Sequence, residues 1–189
     1  MLSKDALFYA TMELFTEKGT KFTMDEVSKK LGISKRTLYE NISSKEELSV
    51  FMVEKFFEIV EERQRPILED SGLCAADKLR RLLTTTPSMP VGRLRMAAFR
   101  TEYPKAYALM DAKLSFGWES TFRVMDEGIA AGELRDFDKA LFAMVYAAGI
   151  EALVTGYDAQ SPASFNELQQ RLVDILLSGI CFAFQKSSK

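Results

Sequence analysis

The sequence predicts an all-α chain of about nine helices, on three observations. Apolar residues recur at helical spacing from end to end, and no segment sustains the period-2 alternation of a half-buried strand. Ser, Thr or Asp stands ahead of the periodic stretches, and Gly or Pro closes them. No 20–50-residue repeat and no low-complexity tract interrupts the pattern. The 189 residues allow one large or two small domains with a substantial core. The expected division is a small three-helix unit over 1–48 and a larger helical domain over 49–189.

A first helix over 3–18 is capped by Ser3 and ended by Gly19, with Leu7, Ala10, Leu14 and Phe15 as its apolar stripe. Thr23 with Glu26 three residues on is a capping box, in which each side chain satisfies one orphan backbone N–H. Met24, Val27 and Leu31 give the second helix an apolar face. Gly32 stops it, because glycine enters the left-handed conformation at low cost. Ser34 caps a third helix from Lys35 to about Asn41, with Leu38 and Ile42 facing inward. The 100° step per residue then turns Arg36 and Glu40 outward, flanked by Thr37 and Tyr39. Ser44 and Glu47 form another capping box, opening a fourth helix whose N-terminus is a natural phosphate site with Lys45 in its first turn.

Two short helices joined by a glycine-bearing turn form a helix-turn-helix, whose second helix fits a DNA major groove. On spacing alone the same pattern also fits a plain helical hairpin with a solvated polar face. Residues 7–48 resemble the DNA-binding domain of the TetR (tetracycline repressor) family of bacterial regulators. The residues carrying the resemblance are Ala10 to Phe15, Gly19, Thr23, Val27, Leu31-Gly32-Ile33-Ser34, Thr37-Leu38-Tyr39 and Ser44-Lys45-Glu46-Glu47-Leu48. It implies that Arg36, Thr37 and Tyr39 contact DNA and that Lys45 lies on a phosphate; Thr23, Lys35 and Asn41 complete the expected DNA-binding set. Asn41 and Ile42 stand where the family often has His or Tyr and then Phe. Lys35 and Arg36 replace small residues often seen there, so no operator sequence carries over.

The fourth helix continues apolar nearly all round between Leu48 and Val60, as a lever touching two bodies would, and Pro66 marks its end or a kink. Further helices are expected over 75–86 (Leu79, Leu82, Leu83), over 91–100 after a TTTPSMP loop, and from Pro104 to about Ala131, ended by Gly132. Asp136 or Asp138 caps the next, up to Gly156, and Ser161 or Ser164 opens the last, to about Phe184. The helix count and the GELRDFD joint at 132–138 also resemble the TetR family.

Composition excludes several classes. The chain has no histidine, which removes the commonest general base and metal ligand. It has no Gly-rich phosphate loop and no GxSxG. Glu102, Asp111, Glu119, Asp126 and Glu127 read as a solvated helix face. We expect no enzyme activity, no cofactor and no metal. No apolar run is long enough to span a membrane and no secretory leader is evident. Cys74 and Cys181 read as buried free thiols, which fits a reducing cytoplasm. The net charge is −2, and residues 1–48 are neutral, with eight Lys/Arg and eight Asp/Glu. Modest non-specific DNA affinity follows.

Two patterns remain. Met96, Phe99, Tyr103, Tyr107, Met110, Trp118, Phe122, Met125, Phe142 and Tyr146 either fill a core or line an adaptable apolar cavity. The resemblance favours a small-effector pocket. Leu141, Val145, Ala148, Gly149 and Ala152 line one side of one helix; Leu168, Leu172, Ile175, Leu176, Gly179 and Ile180 line the last. These stripes bury themselves in their own core or form a four-helix homodimer interface that reads a near-palindromic double-stranded operator. The expected function is a ligand-responsive dimeric repressor. The alternative is a DNA-binding dimer without a small-molecule effector, whose helical domain docks a protein partner.

Overall fold

The computed structural model describes residues 2–85, 96–155 and 164–181. Among them the chain is all-α. The helices are α1 (Lys4–Lys18), α2 (Met24–Lys30), α3 (Lys35–Asn41), α4 (Lys45–Glu69), α5 (Ala75–Thr84), α6 (Met96–Glu102), α7 (Pro104–Phe116), α8 (Glu119–Ala130), α9 (Lys139–Thr155) and α10 (Phe165–Ile180), with a 3-10 turn at Gly19–Lys21. No strand forms among the described residues; one isolated bridge joins Leu134 to Cys181.

The helices sort into two compact units, each with its own core. The first takes 2–60 and 96–114. Phe15, Phe22, Val27, Leu38, Ile42, Leu48 and Met52 make its centre, together with Phe99, Tyr103 and Ala106 from α6 and α7. Phe15 meets Phe22 and Phe99 edge-on, at centroid distances of 6.2 and 5.6 Å. Such pairs add about 0.5–1.5 kcal/mol beyond the area they bury. The second unit takes 61–85, 115–153 and 164–181. In it α5 packs against α8 and α10, around Leu79, Leu82, Met125, Leu134, Phe142, Val173 and Leu177. Helix α4 contributes residues to both units.

Most boundaries fall where the caps place them. Ser3 accepts the N–H of Ala6, Ser34 that of Thr37, and Ser164 with Glu167 completes a reciprocal capping box. Gly19, Gly32 and Gly132 take positive φ at the ends of their helices. Asp138, not Asp136, caps α9 by accepting the N–H of Leu141. Glu47 differs from its expected role: its carboxylate takes the N–H of Ser43, while Ser44 Oγ accepts from Glu47 N.

Three helices depart from expectation. The helix expected from Pro104 to Ala131 is two, broken at Gly117-Trp118, so the described residues hold ten α-helices against about nine expected. Tertiary packing outweighs the continuous local pattern, because the Trp118 ring seats against Tyr146 (5.4 Å, edge-on) and Phe122 (5.9 Å). Pro66 does not end α4, which runs on to Glu69. Helix α5 stops at Thr84, short of the expected 86. Residues 86–90 of the loop expected at 84–90, the start of the helix expected at 91, Gly156, Ser161 and the end at Phe184 lie outside the described residues.

The contact between α8 and α5 depends on a missing side chain. A Cβ at Gly128 would lie 2.6 Å from the Ala75 Cβ and 2.9 Å from Leu134 Cγ. Overpacking costs about 1–3 kcal/mol, against a helix-propensity gain of at most about 1 kcal/mol for Ala over Gly. Gly128→Ala should therefore lower the melting temperature by a few degrees at about 2–4 °C per kcal/mol. A calorimetric scan checks this, and an unchanged or raised Tm would contradict the packing.

Candidate nucleic-acid interface

The joint between α2 and α3 is built from short-range bonds. Gly32, at φ +66°, donates its N–H to Lys29 O (3.1 Å), and Ile33 donates to Ser28 O (3.0 Å). Ser34 Oγ then accepts the Thr37 N–H at 3.0 Å. Thr23 Oγ1 accepts from Glu26 N (3.2 Å), and Glu26 Oε2 accepts from Thr23 N (2.8 Å). The Glu26 carboxyl is held below its ordinary range by Lys18 and then by the Thr23 N–H. Beneath α3, Leu38 is fully buried and Ile42 nearly so. That anchor fixes which face of α3 turns outward.

The outward face carries the expected side chains. Tyr39 is 50% exposed, a large aromatic standing in solvent. Arg36 is exposed and donates from Nε to Glu40 Oε1 at 2.9 Å, which orients the guanidinium along the helix. Its terminal nitrogens match the two acceptors of a guanine edge. Lys35 pairs with Asp25 at 2.9 Å, and Lys29 pairs with the same carboxylate at 3.1 Å. Asp25 is held below the usual carboxylate range by these two lysines, Lys35 first. Thr37 and Asn41 are partly engaged: Thr37 Oγ1 lies 2.8 Å from Ser34 Oγ, and Asn41 Nδ2 donates to Thr37 O at 2.8 Å.

Lys45 is placed differently from the phosphate contact that its sequence position implies. Its Nζ donates inward to Thr20 O at 2.5 Å and lies 4.3 Å from the centroid of the Phe22 ring. Burial pulls its pKa below the ordinary lysine value.

The aromatic and Met set divides between the two cores. Phe99 and Tyr103 are core residues of the first unit, with Tyr107 and Met110 packed on it. Trp118, Phe122, Met125, Phe142 and Tyr146 belong to the core of the second unit. Met96 is in α6, but its side chain lies outside the described residues. In the second unit Tyr146 donates to Leu83 O at 2.5 Å, and Gln169 Nε2 donates to the same carbonyl at 2.9 Å. Burial pushes the Tyr146 phenol up to about 12. Sequence reading missed this buried polar pair, although a Gln among the apolar positions of α10 was its visible sign.

Of the stripe on α9 and α10, Leu141, Val145, Ala148, Ala152, Ile175 and Gly179 are exposed. Leu141 is 54%, Met144 67%, Val145 44% and Ile175 69% accessible. Leu168, Leu172 and Leu176 are half-buried, and Ile180 is buried in its own core. Gly149 meets Leu172 of the same chain: a Cβ there would lie 2.6 Å from Leu172 Cδ2. Its close approach therefore serves packing of α9 on α10. The two cysteines are free and half-buried, less enclosed than expected, and burial raises the Cys181 thiol pKa. Among the described residues, no cluster of His, Cys, Asp and Glu could hold a metal, and no helix is long and apolar enough to cross a membrane.

A short helix fixed by caps, presenting Arg and Tyr from a glycine turn, defines a helix-turn-helix DNA-binding protein. Residues 7–50 match the family model of the bacterial regulatory proteins of the tetR family. The chain is 28% identical over 178 residues to the uncharacterized HTH-type transcriptional regulator YvaF of Bacillus subtilis, covering 90% of this chain and 91% of that one. Its fold is similar to the regulatory protein TetR from Rhodobacter sphaeroides (TM-score 0.74, 17% identity, 95% and 100% of the two chains). It is also similar to the regulator FadR from Bacillus subtilis, solved in complex with stearoyl-CoA (TM-score 0.68, 19% identity, 94% and 99%). Residues 7–50 are thus similar to the DNA-binding segment of the tetR-family regulators, and the chain as a whole shares the fold of TetR-type regulators. Members of that family are DNA-binding regulators, not enzymes.

The paired lysines at Asp25 give a test of the interface. On a surface that meets phosphate, Asp25→Asn should strengthen binding to DNA of any sequence at low salt, because it removes an anion between two cations. The gain should fade as salt shortens the Debye length to about 8 Å. Fluorescence anisotropy across a salt series checks this; weaker binding of Asp25→Asn at every salt would place this surface away from DNA.

Proposed function

We propose that the protein is a homodimeric, ligand-responsive repressor acting in the cytoplasm, which releases a near-palindromic operator when a small, largely apolar effector binds. The observation that carries the dimer is the stripe on α9 and α10. Four large apolar side chains, Leu141, Met144, Val145 and Ile175, stand in water on two adjacent helices. A two-fold axis through that stripe would bury it against itself in a four-helix bundle. Two copies of α3 would then read half-sites about one helical turn apart.

Within each half-site, Arg36 reads a base edge. Lys35, Thr37, Tyr39 and Asn41 hold backbone or sugar, and Thr23 chiefly sets the start of α2. An effector in the second unit would lie among Trp118, Phe122, Met125, Phe142 and Tyr146, which pack its core. A similar fold that holds stearoyl-CoA, in FadR, supports an effector with a long apolar part. Helix α4, shared by both units, is the lever: a differential affinity of about 1–3 kcal/mol between the two states suffices for a usable switch.

The test uses the purified protein and DNA from upstream of its own gene. Arg36→Ala should cost about 1–3 kcal/mol at one base pair and relax preference there. Unchanged specificity would remove Arg36 as a base reader. Val145→Asp combined with Ile175→Asp should sediment as a monomer and bind the operator far more weakly. A double variant that stays dimeric would place the interface elsewhere.

A further inference from the structure

The first turn of α4 is tied to the corner between α6 and α7 by a compact polar set. Thr20 O accepts from both Lys45 Nζ (2.5 Å) and the Tyr103 hydroxyl (3.2 Å). The Thr20 hydroxyl donates to Glu102 Oε1 at 2.9 Å. Glu46, next to Lys45, accepts the N–H of Lys105 at 3.1 Å. The Lys45 ammonium lies over two rings, 4.3 Å from the Phe22 centroid and 5.5 Å from that of Tyr103. A cation over aromatic faces, partly desolvated and bonded to a carbonyl, is held by three independent attractions. Glu102 adds a fourth, since its charge favours the protonated lysine. Tyr103 is itself buried, and its phenol is pushed up to about 12, so it stays a neutral donor to Thr20 O.

We propose that Lys45 is a positioning residue for operator binding and not a phosphate contact: with Tyr103 it clasps the α6–α7 corner to the start of α4. The clasp fixes the first turn of α4, and with it Ile42 and Leu48, which share the core beneath α3. The proposal rests on the operator-binding reading above.

The test is a double-mutant cycle with Lys45→Met, which keeps the stem over the rings, and Tyr103→Phe, which removes one hydroxyl. Melting temperature without DNA and affinity for the upstream duplex over a salt series are measured on all four proteins. The clasp predicts that each variant lowers the Tm, and that the double variant falls by clearly less than the sum. It also predicts that Lys45→Met weakens binding several-fold on all sequences with its salt slope unchanged. A slope that falls by about one, the loss of a single phosphate contact, would overturn the proposal. So would additive effects on Tm, or no effect of Tyr103→Phe on either readout. If the wild-type protein shows no preference for any duplex, the operator reading fails by itself, and the melting cycle still decides the clasp.

Discussion

The turn between α2 and α3 is the constraint on which the rest of the molecule depends. Residues 31–34 reverse the chain, held by three bonds: Gly32 N–H to Lys29 O, Ile33 N–H to Ser28 O, and Thr37 N–H to the Ser34 hydroxyl. A left-handed residue is required at Gly32, and glycine takes it without the roughly 1 kcal/mol or more that an L side chain adds. Because the turn is short, the direction of α3 follows from that of α2 with little freedom. Leu38 then sets its rotation by filling the core. Position, direction and rotation of Arg36 and Tyr39 are therefore decided by the turn and by the core beneath α3.

Each unit is closed around its own core. The first extends beyond the three N-terminal helices, since Phe99, Tyr103 and Ala106 complete it. A helix-turn-helix of about fifty residues has too little apolar area to be stable with a wide margin. Recruiting α6 and α7 supplies more, and it makes those helices part of what holds the reading face. The second unit is closed around α5, α8 and α10 and leaves one apolar stripe outside. Apolar side chains exposed singly are ordinary; four on two neighbouring helices are not.

What was legible in the sequence was local. Thr23 with Glu26, Gly32, Ser34 and Gly132 are signals read within four residues, and each sits where its spacing puts it; of the two serines that could open the last helix, Ser164 is its cap. What was not legible depends on partners far along the chain. Helix α5 begins at Cys74, which offers no side-chain cap; the Ala75 N–H goes instead to Glu133 Oε2 at 2.5 Å, 58 residues away. The break at Trp118 is set by Tyr146, on another helix. Lys45 sits in the first turn of a helix, where local rules favour a phosphate, yet Thr20, Phe22 and Tyr103 capture it. The ten aromatic and Met residues read as one set because sequence shows composition; the division of the nine whose side chains are described between two cores is a property of the packing.

The most direct test of the account is a hydroxyl-radical footprint of the purified protein on the region upstream of its own gene. Two α3 helices related by a two-fold axis predict two protected patches on one face of the duplex. They should lie about one helical turn, or a whole multiple of it, apart over a near-palindromic sequence. One unrepeated patch, or uniform protection that disappears with modest salt, would contradict a dimer that reads two half-sites.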